Sequence, residues 1–255
     1  MVKNLKIKRP SQVLLDFSVL MPTVIRIVAY DLDFPKRIFY DRTNFVEKEE
    51  KILIKLPLFP KKLAMSIASI SDDNDLGITI LKIKKKPLIR ELVESQIHDP
   101  LFREFVYFIE SFAFNAAYLE TGNIYTSAHK HFAIDYLDVI KKNDGSPTSS
   151  PAMIKEGSGF MKFAKQRILS FTIPGIVAIG LHEFSHNFLN SSPESEEEAD
   201  LNSLITYLGL GFPFMEADNT WSNIYNHTKT DLNKQRASTV IKLLLDYSKE
   251  FGFNE

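Results

Sequence analysis

Residues 168 to 200 read ILSFTIPGIVAIGLHEFSHNFLNSSPESEEEAD. Within this apolar run His182 and His186 stand four apart, so on a helix they project from one face, with Glu183 beside the first. Two imidazoles one turn apart can bind a single Zn²⁺ through their ring nitrogens, and Glu183 is then placed to take a proton from a water activated by the metal. After Leu189 the sequence NSSP ends the run, and Ser192 followed by Pro193 predicts an N-cap with proline at the first helical position. If the two helices form a tight hairpin centred near Ser191, residues equidistant from the turn face each other. His186 then meets Glu196, suited to be a third ligand, and His182 meets Asp200, suited to hold its second imidazole nitrogen. Glu194, Glu197 and Glu198 compete with Glu196 for the ligand position. A solvated helix N-terminus, where negative charge is favourable, is the reading for Glu197 and Glu198.

HEFSH followed by EEEAD resembles the H-E-x-x-H plus E-x-x-A-D signature of gluzincin metallopeptidases, including the M48 and ImmA/IrrE-like groups. The resemblance implies His182, His186 and Glu196 as zinc ligands, Glu183 as general base and Asp200 as the partner that orients a ligating histidine. The spacer between His186 and Glu196 is shorter than in many gluzincins. The longer stretch EADLNSLITYLGLGFPFMEA is similar to uncharacterised proteins of tailed phages of gut bacteria, in which a β-rich half precedes a peptidase-like half. That likeness implies a second class of function, a structural or assembly protein of a phage particle, such as a neck or tail component.

The 255 residues, 44% of them apolar, suffice for a substantial core and two modest domains. Cysteine is absent, so disulfides and thiolate ligands are excluded and a metal must be held by histidine and carboxylate. The net charge of −1 gives no general attraction to polyanions, which makes nucleic acid an unlikely partner. The opening MVKNLKIKRPSQVLLDF carries no secretion signal, and the apolar stretch Ile173 to Leu181 is too short to span a bilayer. Expected are a cytoplasmic setting (host cytoplasm or virion for a phage protein), no membrane partner, a peptide or protein substrate, and assembly contacts through the N-terminal half.

The fold expected is α+β, an N-terminal β-sandwich-like domain over 1–88 followed by a zincin-like helical domain with a small antiparallel sheet over 89–255. Candidate strands are Val24 to Tyr30, Arg37 to Tyr40, Lys51 to Leu56, Lys62 to Ile70 and Ile78 to Lys84. SDDNDLG at 71–77 reads as an acidic turn, since Leu76 occupies a position where a calcium loop needs a ligand. Lys82, Lys84, Lys85 and Lys86 could contact phosphates if clustered with Lys3, Lys6, Lys8 and Arg9; a solvated edge strand is the preferred reading. From Pro87 the pattern becomes helical, with the spacing of Phe105, Phe108 and Phe112 indicating core packing and His98 marking a boundary. HFAIDYLDVI at 131–140 and Phe160 to Leu169 read as hairpin strands, the latter positioned by analogy with zincins to align an extended substrate. His129 and His131 lack a third ligand at fixed spacing, and Thr172 with Pro174 starts the metal helix. Near the end, Tyr225 and His227 are candidate oxyanion donors, ahead of a final amphipathic helix.

Overall fold

The computed structural model describes residues 1–70, 77–90, 92, 97–228 and 231–251, with the side chains of 226–228, 231–233 and 247–251 outside the description. Among the described residues the chain mixes helix and strand in comparable shares. It divides at Ile89 and Arg90 into two compact units. The turn expected at 71–77 falls almost wholly outside the described residues, and the helical pattern expected from Leu88 falls largely there, with 88–90 irregular.

The first unit holds seven strands: β1 (Val2–Lys6), β2 (Ser11–Ser18), β3 (Thr23–Asp31), β4 (Ile38–Val46), β5 (Glu49–Leu56), β6 (Lys62–Ser69) and β7 (Thr79–Pro87). They form two antiparallel sheets, ordered β1-β6-β3-β4 and β5-β2-β7. Period-2 alternation explains both, because each strand turns every second side chain inward. Val13, Leu15 and Phe17 of β2 are buried, as are Ile25, Ile27 and Ala29 of β3 and Leu63, Met65 and Ile67 of β6. β1 and β2 were not among the expected strands. In β2 the alternation is masked because Leu14, on the opposite face, is apolar as well.

The second unit contains α1 (Pro100–Asn115), β8 (Asn123–Thr126), β9 (Ala133–Leu137), β10 (Ala152–Ile154), β11 (Phe160–Ala164), α2 (Lys165–Ile168), α3 (Ile173–Phe188), α4 (Glu196–Gly209), α5 (Phe214–Thr228) and α6 (Asp231–Phe251). Asp99 caps α1 by accepting from the backbone N–H of Leu101 and Phe102, with Pro100 opening the helix, while its neighbour His98 is exposed.

The sheet is ordered β10-β11-β9-β8 and is not wholly antiparallel: β11 runs parallel to β9. This corrects the hairpin expected between 131–140 and Phe160–Leu169. The hairpin partner of β11 is β10, whose three residues AMI are too few to display a period, and β11 therefore returns beside β9 in the same direction. Residues 165–168 leave the expected strand to form α2.

α3 is buried along most of its length and on every side, as a helix apolar all round must be. Phe184 stacks on Phe105 of α1 with ring centroids 4.2 Å apart and on Phe188 at 4.6 Å, and Phe188 meets Phe132 edge-on at 5.5 Å. Closer to the N-terminus, Gly180 permits the approach of α1, since a Cβ there would lie 2.3 Å from Ile109 Cδ1. Among the described residues no helix is long and apolar enough to cross a membrane.

The Gly180 contact generates a stability prediction. Gly180→Val must push α1 away from α3, and the overpacking should cost about 1–3 kcal/mol in urea unfolding despite the helix propensity gained over glycine. A midpoint equal to wild type would show that the two helices are not locked there.

Candidate metal centre

The helix that carries both histidines starts where Thr172 Oγ1 accepts from Gly175 N, with Pro174 in the first turn. It ends near Leu189, and the chain doubles back into α4. That second helix begins three residues later than expected: its N-cap is Ser195, which accepts from Glu198 N, rather than Ser192. The reason lies in Glu198, whose carboxylate bonds the Ser191 N–H, the Ser191 hydroxyl and the Ser192 N–H and holds 191–195 as a loop. Glu198 is thereby committed to the turn, and Glu194 and Glu197 are exposed.

The bend brings the ligand candidates together. His182 Nε2 and His186 Nε2 are 3.1 Å apart, and Glu196 Oε2 and Oε1 lie 3.4 Å and 3.7 Å from them respectively. Zinc bonds of 2.0–2.2 Å in tetrahedral arrangement place ligand atoms about 3.4 Å from one another, so the donor set suits an ion of that size. Among the described residues this is the one group of three histidine or acidic side chains arranged to hold a metal. His186 Nδ1 is 2.7 Å from the carbonyl oxygen of Pro193, which fixes its ring and leaves Nε2 turned to the group.

Asp200 is the centre of the supporting structure. Its Oδ1 lies 2.9 Å from His182 Nδ1, in contact although without the alignment of a full hydrogen bond. The same carboxylate accepts from Trp221 Nε1 at 2.9 Å, from the Tyr225 hydroxyl at 2.6 Å and from Arg236 Nε at 2.9 Å. Arg236 Nη2 also reaches Glu196 Oε2 at 2.6 Å, so one guanidinium from α6 spans both carboxylates of α4.

This arrangement changes the reading of Tyr225. Its hydroxyl is directed to Asp200 instead of to an oxyanion, because a buried carboxylate needs donors more than the cleft does. The side chain of His227 lies outside the described residues.

Burial alone would push Asp200 up, but contacts with His182 and Arg236 outweigh it and hold the carboxyl far below its usual range. For His182, burial acts to lower the imidazole and the two carboxylates reverse this, raising it to about 10. His186 is lowered, first by burial and then by the charge of His182. Glu183 is pushed up to about 7, mainly by burial and against the pull of His182, with a smaller downward pull from the backbone of Ile154 on β10.

The site opens into a cleft of about 750 Å³ whose lining includes Ala152–Ile154 of β10, Phe171, Ile179, Glu183, Trp221 and Ile224. β11, where the sequence suggested a substrate-aligning strand, is paired on both sides and has no free edge; β10 is the edge strand. β10 is anchored by Asn187, next to His186. Its side-chain amide donates to the Lys155 and Ser158 carbonyls at 2.9 Å each and accepts from Gly157 N at 3.2 Å.

His129 and His131 stand apart from the metal group. Glu104 of α1 accepts from the Ser127 hydroxyl and from His129 N at 2.9 Å and lies 2.6 Å from His131 Nδ1, which ties the β8–β9 connection to α1. Burial would raise this carboxyl, yet the bonds from His131, Ser127 and His129 prevail and hold it at about 2.

Arg236, Trp221 and Asn187 were not singled out from the sequence. Trp221 is the only tryptophan in the chain, a cue of sorts, whereas Arg236 and Asn187 sit at no motif spacing. Comparison with protein-family models, curated proteins and solved structures gave no match.

Two predictions follow the geometry. Zinc should bind one ion per chain and release at least one proton at pH 7, because His182 must lose the proton its carboxylates hold up to about 10. Titration calorimetry in buffers of different ionisation heat measures this, and His186→Ala should abolish the heat. For Glu104 the folded carboxyl is depressed from 4.5 to about 2, so its contribution is present above pH 4.5 and lost as pH falls towards 2. The stability gap between wild type and Glu104→Gln should therefore be full at pH 6 and shrink at pH 3 in denaturant titrations.

Proposed function

We propose that this chain is a zinc-dependent metallopeptidase of the gluzincin type, with His182, His186 and Glu196 as ligands and Glu183 as general base. The observation that carries the reading is the convergence of two imidazole nitrogens and one carboxylate at 3.1–3.7 Å, beside a buried glutamate, at the wall of an open cleft. In this reading the second unit is zincin-like and the two sheets of the first unit form a sandwich.

Bound by these residues, zinc supplies Lewis acidity, polarising a peptide carbonyl and lowering the pKa of water. The protein's own part is to place and move protons. Asp200, held as an anion, keeps the His182 ring turned so that Nε2 faces the other ligands. A Glu183 carboxyl near 7 can exist in either form at neutral pH, which suits a group that first accepts a proton from the attacking water and then delivers it to the leaving amine. A divalent cation nearby adds positive charge, which favours the carboxylate and hence the base role.

β10 is an edge strand in the lining of the cleft, and although its Ala152 carbonyl accepts from the Ser150 hydroxyl, its remaining outward backbone groups can pair with an extended peptide, as exposed sheet edges do. A cleft of about 750 Å³ holds a short run of residues and favours peptide over a large rigid ligand.

The test is cleavage of a peptide library by wild type and by Glu183→Gln, with zinc measured in both. Loss of the proton-transfer group should lower kcat/KM by about 10²–10⁴ while zinc stays stoichiometric. Bound zinc with no turnover of any peptide by wild type would instead favour an assembly protein that keeps a peptidase-like fold.

A further inference from the structure

The net charge of −1 conceals a division between the units. Residues 1–89 carry 17 Lys and Arg against 10 Asp and Glu, while residues 90–252 carry 14 against 21. The first unit is therefore cationic and the second anionic.

Part of the positive charge lies on one face of the β5-β2-β7 sheet. Strand register places Lys86, Gln12 and Lys55 in one row, Lys84, Leu14 and Leu53 in the next, and Lys82, Asp16 and Lys51 in the third. Lys51, Lys82, Lys84 and Lys86 are exposed, and none of them makes an ion pair among the described residues; Lys55 is buried. Alternate residues on a strand are about 6.6–6.8 Å apart, and β5 and β7 lie about 9.5 Å apart across β2. Four exposed ammonium groups thus form a grid, with Asp16 between Lys51 and Lys82 as the one acid in these rows, and Lys84 and Lys86 line a shallow cavity of about 230 Å³ together with Gln12, Leu14 and Leu53. Lys82 and Lys86 crowd Lys84 and lower its affinity for a proton, a repulsion that a bound anion relieves.

We propose that this sheet face docks duplex nucleic acid through its phosphate backbone, independently of base sequence. Lysines are point charges that suit phosphate contact rather than bidentate reading of base edges. The face carries no aromatic side chain on which an unpaired base could stack, which argues against a single strand. The anionic second unit repels the same ligand, which confines binding to the first unit.

The test uses the full chain and a labelled 20-base-pair duplex of arbitrary sequence, followed by fluorescence anisotropy across a salt series. Four phosphate contacts predict that log K falls against log salt with a slope of about −3.6, from a Kd of about 10⁻⁴–10⁻⁶ M at physiological salt. Each Lys→Gln change among the four should reduce the slope by about one, and the fourfold variant should lose binding at least tenfold. Lys3→Gln with Lys61→Gln removes two charges elsewhere on the unit and should leave most of the affinity. The proposal is overturned if the duplex does not bind or if the fourfold variant binds as wild type does. It is equally overturned if polyglutamate or vesicles of anionic lipid compete as well as unlabelled duplex, since the face would then accept any anion. Circular dichroism of the fourfold variant separates loss of the surface from loss of the fold.

Discussion

The second unit is arranged around one buried anion, the carboxylate of Asp200. Taking a lone carboxylate out of water costs several kcal/mol unless charge and hydrogen bonds compensate, and this one is almost wholly buried. The compensating groups come from three other helices: hydrogen bonds from Trp221 and Tyr225 of α5 and Arg236 of α6, and a close contact with His182 of α3. Trp221 and Tyr225 give each oxygen a hydrogen bond, and Arg236 adds the compensating charge. Burying Asp200 thus draws α3, α5 and α6 onto α4, and the same carboxylate faces the His182 ring.

The same logic explains why the histidine-bearing helix is so apolar. The metal site proposed here requires imidazoles held to within a fraction of an ångström, which a mobile surface helix does not provide. α3 achieves rigidity by being enclosed, with the Phe105, Phe184 and Phe188 stack on one side and Ile109 seated against Gly180. Asn187, on the same helix, then sets the distance of β10 by clamping its turn. His182, His186, Glu183 and the anchor of β10 are all referred to a single rigid body.

How much of this the sequence displays depends on whether the relevant spacing is local. His182 with His186, and Glu196 with Asp200, are four-residue spacings on single helices, and the bend between them is short enough for its pairing to be worked out by counting. The start of α4 was misplaced because Ser192-Pro193 imitates a cap, while the hydrogen bonds of Glu198 that hold that segment as a loop involve a tertiary turn. Arg236 and Trp221 lie 36 and 21 residues from Asp200, and no periodicity connects them. Tyr225 was visible as a polar aromatic near the site, yet its partner was not, and the partner decides what the hydroxyl does. In the sheet, β10 is three residues long, so the exchange of an antiparallel hairpin for a parallel return left no trace in the alternation.

Net charge shows the opposite failure, a quantity legible in the sequence but averaged over the wrong length. Electrostatic attraction between exposed charges decays within about 10 Å at ordinary ionic strength, far less than the span of a two-unit chain. A total of −1 therefore says little about what either unit attracts, because an approaching polyanion responds to the local surface. The meaningful sum is taken over each compact unit and then over each face. On the β5-β2-β7 sheet the period of two that buries Val13, Leu15 and Phe17 turns Lys82, Lys84 and Lys86 outward together. One alternation thus produces both the core and the cationic face.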